Sequence, residues 1–152
     1  MADTHLLERR AVRVEPVPGI EARRPAYQAY RVLQLAFVVA PILAGADKFL
    51  QLMVNWDMYL ANPVANILST RAHTFMLIVG VIEIAAGLLV AVIPRIGAAV
   101  VSAWLMGIVI NLLLPPGFYD VALRDFGLSL AACGLWFLAK DYGRPIWKAT
   151  RA

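Results

Sequence analysis

Four long apolar stretches, near residues 30–50, 72–93, 97–114 and 119–139, constrain this chain more than any other feature. A helix that crosses the hydrocarbon core of a bilayer needs roughly 20 mostly apolar residues at 1.5 Å rise each, and all four stretches qualify. Composition agrees: 61% of the 152 residues are hydrophobic and 16% charged, against about 45–50% and about 25% for a soluble domain. The chain therefore reads as an all-α membrane protein, a single four-transmembrane-helix bundle at residues 27–140.

The connections differ in kind. Pro94-Arg95-Ile96-Gly97 predicts a tight turn that makes spans two and three an antiparallel hairpin, and Pro115-Pro116-Gly117-Phe118 sets span three beside span four. Residues 51–71 are too polar to span. They read as a short interfacial helical segment, with Trp56 and Tyr59 at headgroup level. Pro41 inside span one frees a backbone carbonyl and predicts a kink below Asp47.

The basic residues fix an orientation. Six of the 14 (Arg9, Arg10, Arg13, Arg23, Arg24, Arg31) precede span one, four (Lys140, Arg144, Lys148, Arg151) follow span four, and Arg95 joins them between spans two and three. Only Lys48, Arg71 and Arg124 fall on the other side. The positive-inside rule then puts both termini in the cytoplasm of a bacterial inner (plasma) membrane. Residues 1–26 read as a flexible arm, with an amphipathic helix over 6–14 as the alternative, and 141–152 as a cytoplasmic tail. The clustered flanking charge also explains the pI near 9.6 without nucleic acid.

Ala44-Gly45-Ala46 imitates a signal-peptidase site after a basic and an apolar region. Three points weigh against cleavage: a leader of about 31 residues before the apolar part, Pro41 in mid-run, and the loss of a span. The single Cys133 excludes an intrachain disulfide and a CxxC redox pair, and reads as a small packing residue. With only two histidines, one of them His5 in the arm, a bis-histidine haem cannot be built between the spans, and no metal site is expected.

Ionisable groups inside a bilayer are costly and usually face the bundle interior or a wet cavity. Here Asp47, Lys48, His73, Glu83, Asn111, Arg124 and Asp125 all map to the outer half of the bundle, and the inner half carries none. Cross-helix pairing is the cheap arrangement, with Arg124 expected to bridge Glu83 or Asp47. Gly80, Glu83 and Gly87 share one face of span two, Gly107 and Asn111 share one of span three, and Gly127, Ala131 and Gly134 make a small-residue stripe on span four. Two readings stay open: interhelical glue that fixes register, or an outward-opening pocket for a polar or quinone-like head group, capped by residues 51–71.

The GADKF element closing span one, the NWDMYL segment after it and the ALRDFGL that opens span four resemble the DoxX-like family of small four-helix membrane proteins, over about residues 30–140. In that family the Lys ending the first helix and the charged pair opening the fourth recur, which here are Lys48, Arg124 and Asp125. The resemblance implies an accessory or quinone/lipophile-binding subunit supporting a membrane redox partner, since the chain has no redox cysteines or haem ligands of its own. A quinone is the one cofactor it admits. The alternative is a structural or assembly subunit of a larger membrane complex. A transporter ranks last, because the inner half offers no polar path. The residues themselves assign no catalytic group.

Overall fold

The computed structural model describes residues 23–60 and 71–143. The arm at 1–22 with its alternative helix over 6–14, the second half of the 51–71 segment and the tail from 144 lie outside the described residues. The elements are α1 (Arg23–Leu50), one 3-10 turn (Trp56–Tyr59), α2 (Ala72–Val92), α3 (Pro94–Leu113) and α4 (Tyr119–Tyr142). All four helices are long and apolar enough to cross a membrane. The chain is thus a multi-pass membrane protein with an all-α four-helix bundle. Leu35, Leu43, Val81, Ile110, Leu123 and Leu130 stand exposed around it, an apolar girdle that suits lipid and would be an association hazard in water.

Helix ends follow local chemistry and differ from the sequence reading at three places. α1 starts about two turns before Tyr30, with Pro25 in the first turn, where its missing N–H costs no helical bond. It then runs through Pro41 to Leu50. The expected four-residue turn between spans two and three shrinks to Ile93 alone (φ −131°, ψ 77°). Pro94 pushes its predecessor out of the helical region and occupies the first turn of α3, for which its fixed φ is pre-set. α4 continues past Ala139 to Tyr142, its last turn carrying Lys140 where the helix dipole favours a cation. The Gly143 N–H closes it on the Ala139 carbonyl at 3.1 Å.

The bundle is two tight helix pairs, α1 with α2 and α3 with α4, joined by a lesser α1–α4 contact and by the α2–α3 turn. Gly45 and Gly80 make the α1–α2 seam. A Cβ on Gly45 would lie 2.5 Å from the Gly80 carbonyl oxygen, and one on Gly80 would lie 2.7 Å from that of Gly45. Gly87 meets the Val38 carbonyl in the same way, so the glycine face of span two does permit close approach.

The expected stripe on span four does not. A Cβ at Gly127 or Gly134 would meet nothing within 4 Å. α4 instead buries Ala122, Asp125, Ser129, Ala132, Leu135 and Ala139. Its contact with α3 carries a reciprocal clasp: Ser102 Oγ donates to the Ser129 carbonyl at 3.0 Å, and Ser129 Oγ donates to the Ser102 carbonyl at 2.9 Å.

Tyr30, Phe37, Ala86, Val90, Ala98, Val101, Ala132, Leu135 and Ala139 form one apolar core. It fills the half of the bundle that holds the α2–α3 turn. The buried charges Asp47, Lys48, Glu83 and Asp125 all belong to the opposite half, which the 51–60 segment covers.

Candidate functional site

The covered half begins where α1 ends. Gln51 takes a left-handed backbone (φ 50°) and its N–H bonds the Asp47 carbonyl at 2.6 Å, the geometry in which many helices terminate, usually with glycine. The reversal brings the next amides back over the helix end. The Asp47 carboxylate accepts from the Leu52 N–H at 3.0 Å, the Met53 N–H at 3.1 Å and the Trp56 indole N–H at 2.7 Å. Gln51 thus stands where glycine usually caps a helix, and the bonds that Asp47 accepts hold the reversed chain and Trp56 in place.

Beneath Trp56 lies Lys48, only 3% exposed. Its ammonium sits 3.8 Å from the centroid of the Trp56 ring and donates to Glu83 Oε2 at 2.6 Å. Antiparallel helices explain the match. Helical side chains lean toward their own N-terminus, so Lys48 leans from the covered end of α1 into the bundle while Glu83 leans back toward that end of α2. Arg124, near the start of α4, leans away from Glu83. The expected bridge from Arg124 to Glu83 or Asp47 is therefore absent. Arg124 Nε bonds Asp125 Oδ1 at 3.1 Å instead, with 65% of its side chain exposed.

Three further contacts peg the cover down. Asn111 Nδ2 donates to the Tyr59 carbonyl at 2.8 Å from α3. His73, at the start of α2, meets Asp57 at 3.0 Å. The Tyr59 ring stacks edge-on against Phe118, in the α3–α4 turn, with centroids 5.1 Å apart. Asn55 caps the 3-10 turn by accepting from the Asp57 N–H at 3.1 Å. A segment too polar to span is thus fixed to α1, α2, α3 and the α3–α4 turn.

Under this roof is a cavity of about 670 Å³, within the roughly 300–1,000 Å³ of small-molecule sites. Met53, Val54, Trp56, Tyr59 and Leu60 close it above; Phe75, Met76 and Val79 of α2 face Trp104, Gly107 and Ile108 of α3 across it. Its polar and charged lining is Lys48, Asn111, Arg124 and Asp125. The Trp104 indole N–H reaches toward the Glu83 carboxylate without closing a hydrogen bond.

The seven residues singled out from sequence therefore divide. Lys48, Asn111, Arg124 and Asp125 line the cavity, Glu83 stands behind Lys48 as its counter-ion, and Asp47 and His73 hold the roof. Sequence reasoning missed Trp104, although it precedes Asn111 by seven residues on the same helical face as Gly107 and Ile108. Among the described residues no group of three His, Cys, Asp or Glu side chains could hold a metal ion. No family model matches the chain, and comparisons with curated proteins and with solved structures likewise return no match.

Proposed function

We propose that this is a DoxX-like accessory subunit of a bacterial inner membrane, binding a quinone or similar lipophile in the roofed cavity in support of a redox partner. One observation carries the reading: a cavity walled mainly by aromatic and aliphatic side chains with four polar or charged side chains among them. Apolar walls with a few placed polar groups are the usual form of a site for an amphipathic small molecule. Charge asymmetry supports termini in the cytoplasm, which sets the roof and cavity toward the outer surface. A cysteine introduced at Asn55 in a Cys133→Ser background then reacts with an impermeant maleimide on intact cells, and one at Arg95 only after permeabilisation. The opposite pattern inverts the topology.

A second reading, a structural or assembly subunit, is favoured by a different observation. Lys48 with Glu83, Arg124 with Asp125, and Asp47 with the roof each satisfy one another internally. Two experiments separate the readings. Native mass spectrometry of the gently solubilised protein reports bound lipophiles and partners together. Quenching of tryptophan fluorescence by a short-tailed benzoquinone reports on Trp56 and Trp104, which line the cavity. Saturable quenching that Arg124→Ala weakens while the bundle stays folded supports the pocket. Stoichiometric partner capture with no small molecule and no saturable quenching supports assembly.

A further inference from the structure

The way into the cavity is written in its walls. The described part of the roof is tied to α1 through Asp47, to α2 through His73, to α3 through Asn111 and to the α3–α4 turn through Tyr59. A water-soluble ligand entering from above meets that set of contacts. The flank between α2 and α3 is built differently. The two helices are pressed together beside their turn, where Gly97 lies against the Val90 backbone, and the cavity separates them toward the roof. Gly107 lines the cavity yet is exposed, and a Cβ there would meet nothing within 4 Å. At 100° per residue it falls on the lipid-side edge of the face formed by Trp104, Ile108 and Asn111. A glycine whose missing side chain leaves open space, at a cavity wall inside a membrane span, is a notch toward lipid.

The charges say what passes through it. Facing the cavity, Lys48 is neutralised by Glu83 at 2.6 Å and Arg124 by Asp125 at 3.1 Å. The pairs leave no net charge to hold an ionic head group, which would need an unpaired opposite charge within the span. Lys48 lines the cavity and has three N–H donors, one of which goes to Glu83 Oε2, so an uncharged head with acceptor oxygens suits the site. We propose that the occupant is a membrane-dissolved lipophile with an uncharged, acceptor-bearing head, and that it enters sideways from the bilayer through the notch at Gly107 between α2 and α3. This rests on the pocket reading above and adds the route and the charge of the ligand.

Stopped-flow tryptophan quenching tests it, with the protein in vesicles and a decyl-tailed benzoquinone as probe. Gly107→Phe places a ring at the notch, from a position where a Cβ meets nothing within 4 Å; Gly127→Phe, where a Cβ likewise meets nothing but which is absent from the cavity lining, is the control. Expected is a slowing of both association and dissociation by about tenfold in Gly107→Phe, with Kd little changed and the control like wild type. Unchanged rates in Gly107→Phe overturn the lateral route. A weakened Kd with an unchanged association rate overturns it too, since Gly107 then belongs to the floor of the site. A decyl-tailed carboxylate that competes as well as the quinone overturns the uncharged head. Wild-type protein that shows no saturable quenching overturns the pocket itself, a failure distinct from the others.

Discussion

The Lys48–Glu83 pair can be taken apart in a way that separates its cost from its use. Lys48→Met keeps a stem of similar length but removes the charge, leaving Glu83, itself 8% exposed, buried without its counter-ion. Breaking one side of a buried pair costs about 3–5 kcal/mol, and the loss of the ammonium beneath Trp56 at 3.8 Å adds about 0.5–2 kcal/mol. Protonation of Glu83 returns part of this, so a loss of about 3 kcal/mol is expected for the single variant. Glu83→Leu strands the ammonium instead, with a similar loss. The double variant, Lys48→Met with Glu83→Leu, strands neither and is expected within about 1 kcal/mol of wild type, or above it, because replacing a whole buried pair is often neutral. The assay is unfolding in mixed micelles at increasing SDS fraction, followed by far-ultraviolet circular dichroism and tryptophan fluorescence, with coincident transitions as the condition for a free energy. Losses that simply add in the double variant refute the reasoning, since coupled neighbours must deviate from additivity. The same double variant, being folded, is then a clean probe of function: normal quenching makes the pair glue, and lost quenching gives it to the ligand.

Two other outcomes follow from the geometry. Gly45→Ala is expected to destabilise by about 1–3 kcal/mol, since its Cβ would strike the Gly80 carbonyl and force the helices apart, whereas Gly134→Ala is expected to be neutral or to gain up to about 1 kcal/mol from helix propensity; equal effects in the same SDS titration would contradict the packing described. Asp47→Ala is expected to release Trp56 and leave the Leu52 and Met53 amides without their acceptor. Hydrogen exchange at residues 52–56 should rise sharply with the spans still protected, and exchange that stays at the wild-type rate would show that the roof is held by other means.

Much of the architecture is legible in the order of the residues. Length and hydropathy give the four spans, because a bilayer admits only long apolar helices with their backbone bonds made internally. The segregation of charge into one half of the bundle is equally legible, since antiparallel connectivity alone brings Lys48, Glu83, Asn111 and Asp125 toward one end. The glycine face of span two is legible for the same reason: positions three and seven apart share a side of any helix.

What sequence could not decide is which faces meet. Gly80 and Gly127 are both small residues on apolar helices, yet one seats a neighbouring backbone and the other opens to lipid, because that choice depends on the rotation of each helix against its partners. The same rotation, with the lean of side chains toward the helix N-terminus, gives Glu83 to Lys48 and leaves Arg124 to Asp125, where charge arithmetic alone allowed the reverse. The left-handed Gln51 and the fold-back of its successors onto Asp47 turn an interfacial segment into a roof. With the roof in place and α2 and α3 parted below it, the same charges border a cavity. Its existence is a property of the gap between helices, and no single stretch of sequence contains it.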